Sequence, residues 1–339
     1  MRSTTRHRVL LAITGTPPAI NKTRSTACGS GFFFVVNSGM NKSQTTARHI
    51  GAIDVGGTSI KYGVVTEHGD VVWEQNVPTK ASEGRDAVVA RCCDVVRSIV
   101  ERTPDVVAIG VGVPGVVDPL TKMVQAPPNL PGWDCVDLRG ALQQVTSLPI
   151  DVENDANAAA LGEALMGAGV EHPDFLYATL GTGIGGGVIF NHALYRGPNG
   201  DAGEIGHIIM NAWDPEDPRP FRTGVLEEYA GIAGIVAMAR KEGEDVENVG
   251  RIRNDAVLRE AGRIIGLGLC SALAVLGLRV VVIGGGVAQA PFVIDTIRAT
   301  MKRRAIPTIA AHLEVLPAKY GSQAGLIGAA AVGRAVLGS

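Results

Sequence analysis

The chain has no acidic residue before Asp54, no CxxC or CxC pair among its five cysteines, and no GxxxxGK[ST] phosphate loop. Each gap excludes something. Without the last motif, the chain is not a P-loop enzyme. Scattered, unpaired cysteines suit free thiols in a reducing compartment, so a cytoplasmic protein is expected. The longest uncharged apolar run, 264–278, is 15 residues. A membrane helix needs about 20, so this run reads as a buried helix. A net charge of −2 gives no reason to expect nucleic acid as a bulk partner.

What is present is ordinary for a globular protein: 46% apolar and 19% charged residues in 339. That length suggests two domains and a sizeable core. The 44 glycines cluster in tight turns. The amino-terminal part differs from the rest. Residues 1–48 carry Arg2, Arg6, Arg8, Lys22, Arg24, Lys42 and Arg48, are rich in Ser and Thr, and hold an apolar patch at 31–36. The composition is that of a transit peptide, of a disordered extension, or of translation upstream of a true start at Met40. No helix-turn-helix pattern fits this segment.

From His49 onward the chain reads as structured. Strands are expected at 50–54, 59–66 and 71–78, forming an antiparallel meander. Apolar residues at helical spacing (Val88, Val89, Cys92, Val95, Val96, Ile99) predict a helix over 85–102. A buried strand follows at 105–113, then an irregular Pro-rich segment over 118–133 that suits a binding loop. A short helix is expected at 138–145. Strands at 175–180 and 184–190, helices at 225–241 and 255–276, a strand at 279–283 and helices at 291–303 and 322–337 complete the reading. The glycine turns after Asp54 and after Leu180 both join strands of a hairpin, which points to an internal duplication.

The stretch from Asp151 to Ala160 is central. A short apolar strand feeds it, and a helix over 156–166 closed by Gly167 leaves it, so Asn154 and Asp155 sit on a strand-to-helix turn. Such turns expose reactive groups at the carboxyl ends of strands. A carboxylate there can serve as general base on a hydroxyl. Asn and Asp are also among the best helix N-caps, and these residues alone leave both readings open.

Three glycine turns carry the second signal: Gly56 and Gly57 with Thr58, Gly181-Thr182-Gly183, and Gly284-Gly285-Gly286. Glycines let backbone N–H groups converge without a Cβ in the way, a nest for phosphate oxygens. Asp54, at the end of the first strand, could hold Mg²⁺ through water. Two GxGxxG matches, at Gly110 and at Gly181, are rejected because neither opens a helix. Glu204 and His207 lie three apart among glycines, and Glu227 opens a helix. They suit a hydroxyl-rich ligand, or equally a packed histidine and a first-turn acid favoured by the helix dipole.

Taken together, Asp54-Val-Gly-Gly-Thr58, Glu153-Asn-Asp-Ala-Asn157, the glycine run 180–187, Gly203-Glu-Ile-Gly-His207 and Leu226-Glu227 resemble, in order, the motifs of the ROK family of repressors, open reading frames and kinases. The resemblance spans about residue 50 to the end. It implies an actin-like, hexokinase-type (ribonuclease H-like) α/β fold of two domains around a cleft. The small domain would take 49–155 with 322–339, and the large one 156–321. It implies phosphorylation of a hexose, most often glucose, by ATP and Mg²⁺, in a homodimer or homotetramer. Asp155 would then be the catalytic base. Asn129, Asn154, Asp155, Glu204, His207 and Glu227 would bind sugar. Asp54, Gly56, Gly57, Thr58, Gly181, Thr182, Gly183, Gly284, Gly285 and Gly286 would hold ATP.

One departure matters. Members of the family commonly follow the histidine with zinc-binding cysteines, whereas 208–224 has no Cys. No structural zinc is expected. Pro215, Pro218 and Pro220, with packing of Trp213 or Phe221, would hold the loop instead. Rival readings are a kinase for fructose, mannose or N-acetylmannosamine, use of polyphosphate as donor, a non-catalytic sugar binder, and a sugar-responsive repressor. The last needs a DNA-binding domain, for which residues 1–48 are too short and irregular.

Overall fold

The computed structural model describes residues 47–213 and 223–338. The first sheet is built from β1 (His49–Val55), β2 (Ser59–Thr66), β3 (Val71–Pro78), β4 (Val106–Val113) and β7 (Ile150–Asn154), with α1 (Arg85–Arg102) between β3 and β4. Its order is β3-β2-β1-β4-β7. The first three strands are antiparallel; β1, β4 and β7 run parallel. Between β4 and β7 lie the small ribbon of β5 (Val116–Val117) and β6 (Val124–Gln125) and the short α2 (Leu138–Gln143). β4 is apolar and buried almost throughout, as a central parallel strand covered on both faces must be. β3, at the edge, is polar and mostly solvent-facing, which blunts the edge against pairing with other chains.

After α3 (Asp155–Met166) the pattern recurs. β8 (Phe175–Leu180), β9 (Ile184–Phe190) and β10 (Ala193–Tyr195) form a second meander. Then come α4 (Leu226–Ala230), α5 (Ile232–Lys241), α6 (Asp255–Leu276), β11 (Val280–Gly284), α7 (Val293–Arg304), α8 (Pro307–Ala310), β12 (Glu314–Pro317) and α9 (Ala324–Val336). The order β10-β9-β8-β11-β12 has the topology of the first sheet, with β8, β11 and β12 parallel. The duplication read from two glycine turns is thus visible in the whole strand order.

Several boundaries differ from expectation for physical reasons. The strand before Asn154 runs on to that residue, because Asp151–Glu153 pair with β4. The helix expected over 225–241 is two. Gly231 has ψ 168° and breaks it, and Ile232 N–H donates to the Gly181 carbonyl at 3.1 Å. β10 and β12, of three and four residues, carried no strand pattern. The uncharged run 264–278 ends α6 instead of forming a fully buried helix: Ile265, Leu269 and Leu273 face the core, while Val275 is exposed and Gly277, at φ 70°, caps the helix. None of the described helices is long and apolar enough to cross a membrane.

α3 and α9 are buried on nearly every side. Ala and Gly make up at least half of each, the composition that lets the two helices pack closely on each other and on β1, β4 and β9.

Candidate active site

Asn154 is the N-cap of α3. Its Oδ1 accepts from the N–H groups of Ala156 (2.9 Å) and Asn157 (3.0 Å), and its Nδ2 donates to the Gly115 carbonyl at 2.9 Å. The capping reading therefore holds for Asn154, whose amide also braces the turn that ends β4. Asp155 is the first residue of the helix. Its Oδ1 accepts from Ala156 N–H at 2.8 Å, and the remainder of the carboxylate faces solvent from a densely packed surround. That packing pushes its pKa up from 3.8 to about 6, with the charges of Asp54 and then Glu204 adding to the rise.

These two neighbours come from distant parts of the chain. Asp54 is the last residue but one of β1, and burial pushes its carboxyl up while Lys61 opposes the shift. Lys61 stands directly across the hairpin in register with Asp54. Glu204 precedes a 3₁₀ turn at Ile205–His207. Burial raises its pKa, His207 lowers it, and Glu227 and Asp201 raise it again. The His207 Nε2 lies 4.0 Å from Glu204 Oε2, and both side chains are half exposed. The carboxylates at positions 54 and 204 thus both act on Asp155, and that of Glu227 lies close enough to act on Glu204.

The glycine turns lie against this group. Glu227 Oε2 accepts from Ile184 N–H at 2.9 Å, and a Cβ on Gly183 would collide with the same carboxylate. Gly185 packs on Ala156, where an added Cβ would stand 3.0 Å from the alanine methyl, so the turn at 181–183 reaches the start of α3. Gly285, at φ 88°, folds onto Leu180, which places the third turn beside the second. In the first turn an added Cβ on Gly57 would lie 2.7 Å from the Asn129 Cβ. The exposed Asn129 therefore sits on that turn.

The nests are smaller than expected. Gly56 N–H closes its own turn on the Ser59 carbonyl (3.0 Å), and Gly181 N–H closes on Gly183 (2.9 Å). Gly57, Thr58, Thr182 and Gly183 are left at the tips, and the exposed Gly286 has no neighbour within 4 Å of an added Cβ.

Residues 214–222, with Pro215, Pro218, Pro220 and Phe221, lie outside the described residues. Trp213 does not pack as expected: it is 91% exposed. Among the described residues no cluster of three or more His, Cys, Asp or Glu could hold a metal ion. Two site features escaped sequence reading. Lys61 was findable, since a hairpin turning at 56–58 must set position 61 against Asp54. Arg196, paired with the buried Glu153, lies 43 residues away and left no pattern.

The profile of the ROK family matches residues 50–335. The chain belongs to the ROK family. A glucokinase of Halalkalibacterium halodurans is 33% identical over 310 residues, spanning 81% of this chain and 92% of that one. A xylose repressor of Bacillus spizizenii is 29% identical over 297 residues, spanning 83% of this chain and 75% of the repressor. Among solved structures, the ROK family glucokinase of Streptomyces griseus in complex with glucose and AMPPNP superimposes with a TM-score of 0.70 at 32% identity, covering 85% of this chain and 99% of that one. The two five-stranded mixed α/β sheets are thus those of a hexokinase-type fold.

Proposed function

We propose that this ROK protein phosphorylates a hexose at its 6-hydroxyl with ATP, and that glucose is the substrate. The gathering of Asp155, Glu204 and Glu227 against two glycine turns carries the reading: groups suited to a polyol stand beside groups suited to phosphate. The small lobe is 49–155 with 322–339 and the large lobe 156–321. Asn129, Asn154, Glu204, His207 and Glu227 bind the sugar hydroxyls. Asn154 does so with the second hydrogen of its amide, the first being donated to the Gly115 carbonyl.

Asp155 accepts the proton of the attacking hydroxyl, in the position a general base needs at a strand end. The turn tips, with Asp54, Gly56 and Thr58 on one side and Gly181, Gly284, Gly285 and Gly286 on the other, hold the nucleotide. The half-buried carboxylate of Asp54, whose pKa burial raises even with Lys61 across the hairpin, would be stabilised in its ionised form by a divalent ion beside it. Mg²⁺ bound there, through water and the donor's phosphate oxygens, would neutralise charge on the transferring phosphoryl group. Asp54 and Glu204 raise the basicity of Asp155 and so tune it towards neutral pH.

A coupled assay over glucose, fructose, mannose and N-acetylmannosamine, each with ATP, GTP and polyphosphate, tests the reading. Turnover fastest with glucose and ATP is expected; a best substrate outside that pair replaces the named sugar or donor. No turnover with any combination sinks the kinase reading.

The raised pKa gives a pH dependence. Asp155 must be ionised to act, so kcat/KM should be level above about pH 6 and fall about tenfold per pH unit below it. A profile level down to pH 4.5 would show that another group accepts the proton. The cysteine-free segment after His207 gives a further expectation. Four Cys or His ligands are the norm for structural zinc. Metal analysis of the purified enzyme should therefore find no stoichiometric zinc, and one tightly held zinc per chain would overturn this.

A further inference from the structure

Behind the turn that carries Asp155 lies a charged pair that neither the sugar nor the nucleotide would touch. Glu153 ends its strand inside the protein, its side chain 2% exposed. Its Oε1 accepts from Asn154 N–H at 3.1 Å and from Asn157 Nδ2 at 3.2 Å. Both partners flank Asp155. Its Oε2 accepts from Arg196 Nε at 2.5 Å.

Arg196 belongs to the other sheet's chain, immediately after β10. Its carbonyl accepts from Ala202 N–H at 3.2 Å and closes a loop that delivers Glu204 two residues later. That loop is pinned on both flanks. Gly200, at φ 89°, lies against the Val117 carbonyl, and Gly203, at φ 94°, against Gly186.

We infer that the Glu153–Arg196 bridge sets the position of Asp155 relative to Glu204, making both bridge residues positioning residues for the reaction. The inference rests on the kinase reading above. Glu153 grips the turn on both sides of the base, and Arg196 ties that grip to the segment bearing the sugar carboxylate. A buried ion pair is seldom worth much to stability when set against a well-packed neutral pair, whereas removing one partner is costly. That asymmetry separates positioning from packing.

Arg196→Met alone should melt well below wild type, because Glu153 is left buried and unpaired. The double variant Glu153→Gln/Arg196→Met removes both charges and should recover most of the melting temperature. Its kcat should nevertheless stay roughly 10- to 100-fold below wild type, the scale of a small misplacement of a reacting group. Sugar affinity measured by calorimetry should weaken far less than kcat. Amide hydrogen exchange at Asn154 and Asn157 should quicken by about tenfold in the same variant, because the side chain that holds the turn is no longer tied to position 196.

A double variant that melts like wild type and turns over at the wild-type rate overturns the inference. If the double variant does not fold, Glu153→Gln alone decides. It keeps the acceptor for Asn154 N–H and removes only the ionic arm, so a folded enzyme with undiminished kcat is equally fatal. A wild type without turnover on any sugar fails the kinase reading instead, and the exchange rates then judge the bridge by themselves: unchanged rates refute it, faster rates support it.

Discussion

Asp155→Asn is expected to fold, bind sugar, and lose roughly 10²–10⁴-fold in kcat, the usual contribution of a general base. The amide is nearly isosteric and can still accept from Ala156 N–H through its oxygen, so the start of α3 is preserved. What disappears is the basic oxygen facing solvent and the charge that Asp54 and Glu204 resist. The same substitution should stabilise the protein at neutral pH. A carboxyl whose pKa is raised on folding is bound to its proton more tightly in the folded state. Its ionisation therefore opposes folding, fully above about pH 6, and not at all once pH falls below the unfolded value near 3.8. Taken at face value the shift is worth about 3 kcal/mol. Screening of a solvent-facing carboxylate brings this to the order of 1 kcal/mol, or a rise of about 1–2 °C in melting temperature. Calorimetric sugar binding, steady-state kinetics and a melt at pH 7.5 check all three parts. Near-normal turnover removes Asp155 from its role. A lower melting temperature would mean that its charge is compensated by a partner other than those described.

How far this site was legible in the sequence depended on the kind of signal. α1 occupies the residues that its apolar spacing indicated, because it lays one stripe on a core. Asn154 could be read as a cap, since capping is a local rule about residue type. The break at Gly231 could not be read. Its cause is the Gly181 carbonyl, fifty residues upstream, which takes the Ile232 N–H. β12 was invisible for a similar reason: four residues ending in proline become a strand by pairing with β11. The glycine turns showed where phosphate could lie but not that Gly56 and Gly181 use their own N–H groups to close the turn. The motifs, in short, marked positions, and the long-range contacts that orient them had no pattern to mark.

One of those long-range contacts underlies a large expected effect on stability. Gly328→Val should lower stability by roughly 3 kcal/mol or more, a fall of about 5 °C or more in melting temperature for a chain of this size. At this position α9 meets α3 backbone to backbone. A Cβ on Gly328 would stand 2.6 Å from the Ala158 carbonyl carbon and 2.7 Å from Ala159 N. From the other side, a Cβ on Gly162 would lie 3.2 Å from the Gly328 Cα. No rotamer escapes a clash with backbone, so the helices themselves must part. Ala335→Val is the control, an exposed position on the same helix, where only a helix-propensity cost of about 0.5 kcal/mol is expected. Activity should suffer beyond stability. α3 begins at Asp155, and Gly325, in the first turn of α9, packs directly on the Asp54 carboxylate. Parting the helices therefore moves the base and the candidate Mg²⁺ ligand relative to each other. At a temperature where the variant is still folded, kcat should be at least about tenfold lower, the sensitivity expected when reacting groups shift by a fraction of an ångström to 1 Å. A Gly328→Val enzyme that melts beside the Ala335→Val control would mean that the two helices are not in contact at this glycine, and with that the placement of Asp54 beside Asp155 would lose its support.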